Sequence, residues 1–261
     1  MPTGKSFVLN LKRRPDRLSR FQEFYTKYGP ELPLIVFEAI DGSDNNQLIR
    51  VPEPILKSVS DNNDYGNKPS IRCTAFSHMM IWQQIVEGEE DYGLIFEDDC
   101  YFRPDNPLLP EISRNSMKTK WSKIIDEYDH NLKNRKNILY FGVGDLLPIN
   151  TCPPSESILI AQESNHVIID GMYTTIHRYY GKPNFNSPYV FSWLGCSSYV
   201  ISKATAKYLL AITAKQPLKY AVDSWLKRLY ENKIIEIYLT IPLMTCTPDV
   251  LDSDTARPEK V

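Results

Sequence analysis

No apolar run in the chain reaches the length of a secretory h-region or of a membrane-spanning helix. The expectation is therefore a cytosolic chain with no membrane span. Cysteine is scarce too: five in 261 residues, none at a short paired spacing. That argues against both a disulfide scaffold and a zinc site, and makes a reducing compartment the simpler expectation. Neither sign of charge is in excess. Lys and Arg number 30 against 32 Asp and Glu, a formal net charge of −2, so nothing points to a nucleic-acid partner. Internal repeats are absent. What remains is a composition 42% hydrophobic and 24% charged, ordinary for a soluble protein and long enough for one large α/β domain with a sizeable core.

The stretch Asp91-Tyr92-Gly93-Leu94-Ile95-Phe96-Glu97-Asp98-Asp99-Cys100 stands out. Gly93 to Phe96 is a short apolar run after a turn residue, the pattern of a strand buried on both faces of a mostly parallel sheet. Three carboxylates follow at once and so fall at the strand's carboxyl end, the edge where open α/β sheets bind ligands. Adjacent carboxylates repel one another there unless a cation or hydrogen-bond donors compensate. Such hard oxygen ligands suit Mg²⁺ or Mn²⁺, with phosphate oxygens completing the shell. A solvated acidic turn is the alternative.

From the N-terminus, Ser6 to Leu11 reads as a buried strand, followed by the basic turn Lys12-Arg13-Arg14-Pro15-Asp16-Arg17. Pro15 at a first helical position, with Leu18, Phe21, Phe24 and Tyr25 at spacings of three and four, starts a helix that ends near Gly29-Pro30. Cationic side chains and free helix N–H groups at such a junction suit an anionic diphosphate, although a solvated helix start has the same pattern. Leu34 to Ile40 is a second strand, closed by Asp41-Gly42, and residues 43–69 read as a long, partly mobile loop. Ile71 to Glu87 is helical in period, with His78 either in the core or at the ligand edge. A helix from Asn115 to Lys133 and a strand from Asn137 that ends in glycines and Asp145 follow. Residues 146–188, broken by prolines, read as an excursion with short strands near Leu159 and at Val167 to Ile169. Tyr173, His177, Tyr179 and Tyr180 line an acceptor cleft there or cap a small subdomain. Beyond it lie a strand through Ser198 to Ile201, helices at Lys203 to Ile212 and Val222 to Tyr230, and a strand at Ile234 to Leu239.

In this order, Asn10-Leu11-Lys12-Arg13-Arg14-Pro15-Asp16-Arg17, then Glu38-Ala39-Ile40-Asp41-Gly42, then Cys73-Thr74-Ala75-Phe76-Ser77-His78 with Trp82, then Glu97-Asp98-Asp99 resemble glycosyltransferase family 25. That family includes bacterial lipooligosaccharide galactosyltransferases and the collagen hydroxylysine galactosyltransferases. The resemblance continues in Trp193 to Lys203 with Ala206, in Val222-Asp223 and in Asp252-Ser253-Asp254, and so covers both ends of the chain. Two positions depart from the pattern: Arg72 stands where a glycine usually precedes the cysteine, and Thr255 where an isoleucine usually follows the Ser-Asp pair. Residues 146–188 match no motif, which makes the acceptor the least transferable property.

The resemblance implies a GT-A fold, an α/β Rossmann-type mixed sheet flanked by helices. It also implies a UDP-hexose donor (UDP-galactose or UDP-glucose), Mn²⁺ or Mg²⁺, and inversion at the anomeric carbon. It puts Asp99 and Asp254 at the metal, and Asn10, Leu11, Arg13, Arg17, Asp41, Ser77, His78, Glu97 and Asp98 at the donor. Sugar transfer builds negative charge on the leaving diphosphate, which is where a metal and basic groups stabilise most. The expected function is metal-dependent, inverting transfer of a hexose to a hydroxyl of a glycan or of a collagen-like hydroxylysine. One domain over residues 1–261 would carry it, with 1–110 the nucleotide-sugar half and 111–261 the acceptor half. Inversion needs a base. Asp223, at the start of an apolar-periodic helix, is the leading candidate, ahead of Asp145 and Asp254, although capping and the helix dipole also favour an Asp there. Two rivals stand beside this reading: a nucleotide-sugar- or glycan-binding protein without turnover, and a nucleotidyltransferase, against which the missing glycine-rich loop after the first strand counts.

Overall fold

The computed structural model describes residues 4–64, 67–102, 114–142, 175–178, 196–241 and 244–246. The first half runs β1 (Gly4–Asn10), α1 (Pro15–Tyr28), β2 (Leu34–Glu38), α2 (Glu53–Leu56), α3 (Pro69–Glu87), β3 (Tyr92–Glu97), β4 (Tyr101–Phe102) and α4 (Arg114–Glu127). It continues as β5 (Asn137–Tyr140), β6 (Thr175–Arg178), β7 (Ser198–Ser202), α5 (Lys203–Lys215), α6 (Val222–Glu231), β8 (Glu236–Ile241) and β9 (Thr245–Cys246). Seven strands form one sheet in the order β2-β1-β3-β7-β5-β8-β6, and β4 pairs with β9 apart from it. β1 is parallel to β2 and β3, and β5 to β8. β7 runs antiparallel to both its neighbours, β3 and β5. The architecture is the expected mixed α/β sheet, but β3 is less parallel in its surroundings than its apolar run suggested. A run buried on both faces carries no mark of its neighbours' direction, and one of those neighbours arrives from residue 198.

Period-two alternation sorts the strands into two cores. Phe7, Leu9, Ile95, Tyr199 and Ile201 lie on the face covered by α3, α5 and α6. Val8, Leu94, Phe96 and Val200 lie on the opposite face, under α1 and α4. Trp82 of α3 and Trp121 of α4 are both 0% exposed, and burial of an aromatic side chain this large stabilises by about 1.5–3 kcal/mol or more. The sheet is thus clamped from both sides, and its carboxyl edge is left to the loops.

Several elements differ from the sequence expectation. The 43–69 stretch carries a 3₁₀ turn at Asn45–Arg50, whose Asp44 side chain accepts the Asn46 N–H at 3.0 Å, and then α2 with a proline in its first turn. The second strand stops at Glu38, because the Ile40 N–H leaves the ladder and donates to Ser77 Oγ at 2.9 Å. Gly42 follows so close to α3 that a Cβ there would stand 2.6 Å from Pro69 C and Ser70 N. α4 is continued by a π turn, Tyr128–Leu132, closed by the Lys133 N–H on Tyr128 O at 2.9 Å. The strands expected near Leu159 and at Val167 to Ile169 lie outside the described residues, as do Tyr173, Tyr179 and Tyr180. Among the described residues no helix is long and apolar enough to cross a membrane.

Candidate active site

The three carboxylates after β3 occupy three different environments. Glu97 ends the strand, and its Oε1 lies 3.1 Å from His78 Nε2 on α3. Asp98 turns to the α1 side, where it accepts from Asn10 Nδ2 at 2.7 Å and from Arg17 Nη1 at 3.1 Å. Asp99 begins the turn, and its Oδ1 is buried and accepts no hydrogen bond from the described residues. The pKa shifts follow. Burial lifts the Asp98 carboxyl above its ordinary value, and Arg17 and Asn10 only partly offset this. Burial, and then the charges of Glu97 and Asp98, push Asp99 up to about 7.

The basic turn after β1 is divided in the same way. Arg17 is 3% exposed and is spent on Asp98, an ion pair inside the α1 core. Asn10, 5% exposed, also donates from Nδ2 to Arg14 O at 2.9 Å, which ties the end of β1 to the start of α1. Leu11 is half-buried, and its carbonyl accepts the Arg14 N–H at 2.7 Å. Arg13 keeps 45% of its side chain exposed and donates from Nε to Asp41 Oδ2 at 2.7 Å. Partial burial would raise Asp41, but its bonds from Ser43 and Arg13 outweigh this and hold it below its ordinary value. Arg13 and Asp41 are therefore brought together at the rim, whereas Arg17, Asn10 and Asp98 form a buried cluster beneath it.

Ser77 and His78 sit side by side on α3 and are both fully buried. Ser77 Oγ accepts from Ile40 N and donates to Cys73 O at 2.8 Å, so its hydroxyl is committed to the protein. His78 is committed as well: Nδ1 lies 2.7 Å from the hydroxyl of Tyr199, which also accepts from Trp82 Nε1 at 2.9 Å. His78 and Trp82 share a helix face because they are four residues apart. Tyr199 reaches both because β7 pairs with β3, with Ile95 opposite Tyr199.

The same packing brings in α6. Trp225 stacks on Trp82 with ring centroids 6.4 Å apart, which sets the first turn of α6 against α3. There Asp223 is half-buried, and its Oδ1 accepts the Ser224 N–H at 2.7 Å. Ala221 at the N-cap makes no side-chain bond. Burial, then the charges of Asp223 and Glu97, push the Cys196 thiol well above its ordinary value, so Cys196 is within electrostatic reach of both carboxylates. Cys196 and Tyr199 belong to the Trp193 to Lys203 motif, but sequence reasoning gave neither a role. Their signal is the antiparallel entry of β7 at the carboxyl edge, and strand direction is not written in local pattern. Asp145 and Asp254 lie outside the described residues.

A divalent cation can be tested against Asp99 alone among the proposed ligands. Its buried, unbonded Oδ1 and strongly raised carboxyl mark a place where positive charge is missing, and carboxylate oxygen suits Mg²⁺ or Mn²⁺. No three His, Cys, Asp or Glu side chains among the described residues are grouped to hold an ion. Asp99 would thus offer a metal a single carboxylate, and the remaining ligands would have to come from phosphate and water oxygens.

A mixed sheet with helices on both faces, acids at its carboxyl edge and a basic turn after its first strand define a Rossmann-like glycosyltransferase fold. Residues 3–226 match the pattern described as Glycosyltransferase family 25 (LPS biosynthesis protein), and the chain belongs to that family. Procollagen galactosyltransferase 2 of Homo sapiens is 29% identical over 128 residues, 47% of this chain and 18% of that protein. Procollagen lysyl hydroxylase and glycosyltransferase of Acanthamoeba polyphaga mimivirus is 31% identical over 113 residues, 38% of this chain and 12% of that protein. A Glycosyltransferase 25 family member of Drosophila pseudoobscura pseudoobscura is 33% identical over 103 residues, 38% of this chain and 16% of that protein. The chain covers less than a fifth of the length of each of these relatives.

Proposed function

We propose that the chain is a metal-dependent, inverting hexosyltransferase. It would move galactose or glucose from a UDP-sugar to a hydroxyl of a glycan or of a collagen-like hydroxylysine. The observation that carries the reading is Asp99, a buried carboxylate oxygen without a donor at the carboxyl edge of the sheet, in a chain of family 25. The name of the human relative favours galactose, and the names of the human and viral relatives both favour procollagen.

A divalent cation held by Asp99, with Asp254 as the second proposed ligand, would supply neutralisation of the charge that develops on the leaving diphosphate. Arg13, like Lys12, is exposed on the basic turn, and a diphosphate would compete with Asp41 for it. Arg17 and Asn10 act one step back, holding Asp98 so that the acidic edge keeps its shape. Glu97, 28% exposed at its side chain, accepts a hydroxyl of the donor. Asp223 takes the proton of the acceptor hydroxyl as it attacks the sugar from the face opposite the diphosphate.

The test is release of UDP from UDP-galactose and UDP-glucose, with and without Mn²⁺, followed by a panel of glycan and hydroxylysine acceptors. The reading expects metal-dependent release that a folded Asp99→Ala variant loses. Full activity in that variant removes the metal assignment. Binding of the donor with no release or transfer would leave a sugar-nucleotide-binding protein instead.

A further inference from the structure

Trp82, Tyr199, His78 and Glu97 form a chain of hydrogen bonds from the core to the carboxyl edge, and its direction follows from donor chemistry. Trp82, Tyr199 and His78 are each 0% exposed. An indole N–H only donates, so the Tyr199 oxygen accepts from Trp82 at 2.9 Å. At the other end, Nε2 of His78 lies 3.1 Å from a carboxylate oxygen of Glu97. A bare nitrogen there would set lone pair against lone pair, so Nε2 carries the hydrogen. In a neutral imidazole Nδ1 is then the acceptor. The one group within reach of Nδ1 in this network is the Tyr199 hydroxyl, at 2.7 Å. Burial holds the Tyr199 phenol well above its ordinary pKa, so its hydrogen is present to donate. Every member points the same way: Trp82 to Tyr199, Tyr199 to His78, His78 to Glu97.

Resting on the transfer reading above, we propose that His78 is a positioning residue whose Nε2–H holds Glu97 to accept a hydroxyl of the bound nucleotide sugar, with Tyr199 fixing the tautomer. The surroundings support a role beyond packing. A histidine that only filled the core would need no exposed carboxylate on its outer nitrogen, yet Glu97 keeps 28% of its side chain exposed while bound to a ring that has no contact with water. A carboxylate held at one oxygen by a rigid, buried donor loses rotational freedom before the ligand arrives, which is how a supporting group sharpens a binding contact. His78 itself, fully buried, does not touch the ligand.

Two measurements test this. The chain has 4 histidines, few enough for assigned ¹⁵N-histidine NMR. His78 is expected as the Nε2–H tautomer with a slowly exchanging proton, and an Nδ1–H tautomer overturns the proposal. The second is a double-mutant cycle on Mn²⁺-dependent UDP release. His78→Leu and Glu97→Ala should each lower kcat/KM by about 10- to 100-fold, the size expected for a hydrogen bond to a charged group. The double variant should be no worse than Glu97→Ala alone. His78→Gln, whose amide N–H falls near the Nε2 position, should recover most of the loss, and His78→Phe, which keeps a ring but has no N–H, replaces His78→Leu if that variant fails to fold. Affinity for UDP that stays unchanged in His78→Leu and Glu97→Ala assigns the hydroxyl to the hexose, and affinity that falls with kcat/KM assigns it to the ribose. Losses that add in the double variant, or parental turnover in His78→Leu, overturn the proposal in an active parent. A parent that releases no UDP from either donor removes the transfer reading itself.

Discussion

Asp99 ionises against partial burial and against the charges of Glu97 and Asp98, and its carboxyl stands near 7 in the fold rather than at its ordinary 3.8. The folded chain therefore binds more protons than the unfolded one between roughly pH 4 and 7. The stability linked to this group is fully present below about pH 4 and is lost as pH rises through about 7. Without metal, Asp99→Asn should thus be more stable than the parent at pH 8 by on the order of 1–3 kcal/mol, with the gap closing near pH 4. Urea unfolding in EDTA at the two pH values measures it, and a gap that does not change with pH would contradict the raised carboxyl. Asp223 makes a different prediction at the same scale. Its Oδ1 accepts a helix N–H at 2.7 Å, and an asparagine there keeps that acceptor while losing the proton affinity. Asp223→Asn should lower kcat for sugar transfer by about 100-fold or more with donor KM nearly unchanged. Transfer at the parental rate would make Asp223 a helix-end residue and direct the search for the base to Asp145 and Asp254.

Between β1 and α1 the turn works as a joint. Asn10 at the strand's last position and Arg17 in the helix's first turn both end on Asp98, which comes from the loop after β3. The pair Arg17–Asp98 is nearly out of water, at 4% and 8% side-chain exposure. Removing one partner of such a pair leaves an uncompensated charge, so Arg17→Ala should destabilise the fold by about 3–5 kcal/mol. Arg13→Ala, at an exposed pair, should cost about 1 kcal/mol or less while weakening donor binding. Chemical denaturation and UDP titration of the two variants separate these effects, and equal stability in both would show that burial does not distinguish them. The sequence could place these arginines in a basic turn after a strand but not choose between them, because the choice rests on which way the first turn of α1 faces. The acidic run was readable for the same kind of reason in reverse: a strand ending in charge declares its own edge. His78 was legible only as one of two alternatives, since helical period gives the face of α3 but not what β7 brings to it. The short helices in the 43–69 stretch were hidden by composition, each being fixed by a local cap or a proline rather than by apolar period.

Across the whole molecule, two cores on opposite faces share one sheet, and the described acids and basic turn meet at its carboxyl edge. A ligand bound there adds to the stability of every element that closes the edge. UDP with Mn²⁺ at 100 times the dissociation constant should stabilise the fold by about 2.7 kcal/mol, which raises Tm by about 5–10 °C for a chain of this size. EDTA should cancel most of the shift in the parent, and Asp99→Ala should show little shift at all. A parent whose Tm is indifferent to both ligand and chelator would argue against a donor site at this edge.

One consequence concerns the order in which the protein is made. The strand that fills the middle of the sheet, Ser198–Ser202, is synthesised long after β3, whose ladder it completes from Tyr92 to Phe96. Until then the nascent β2-β1-β3 sheet leaves the ribosome with an apolar strand at its rim and unpaired amides along it, the surface on which chains stick to one another. Complete folding waits for the late strand, so interruption of synthesis before residue 198 releases a fragment suited to aggregation and to capture by chaperones rather than a smaller working enzyme.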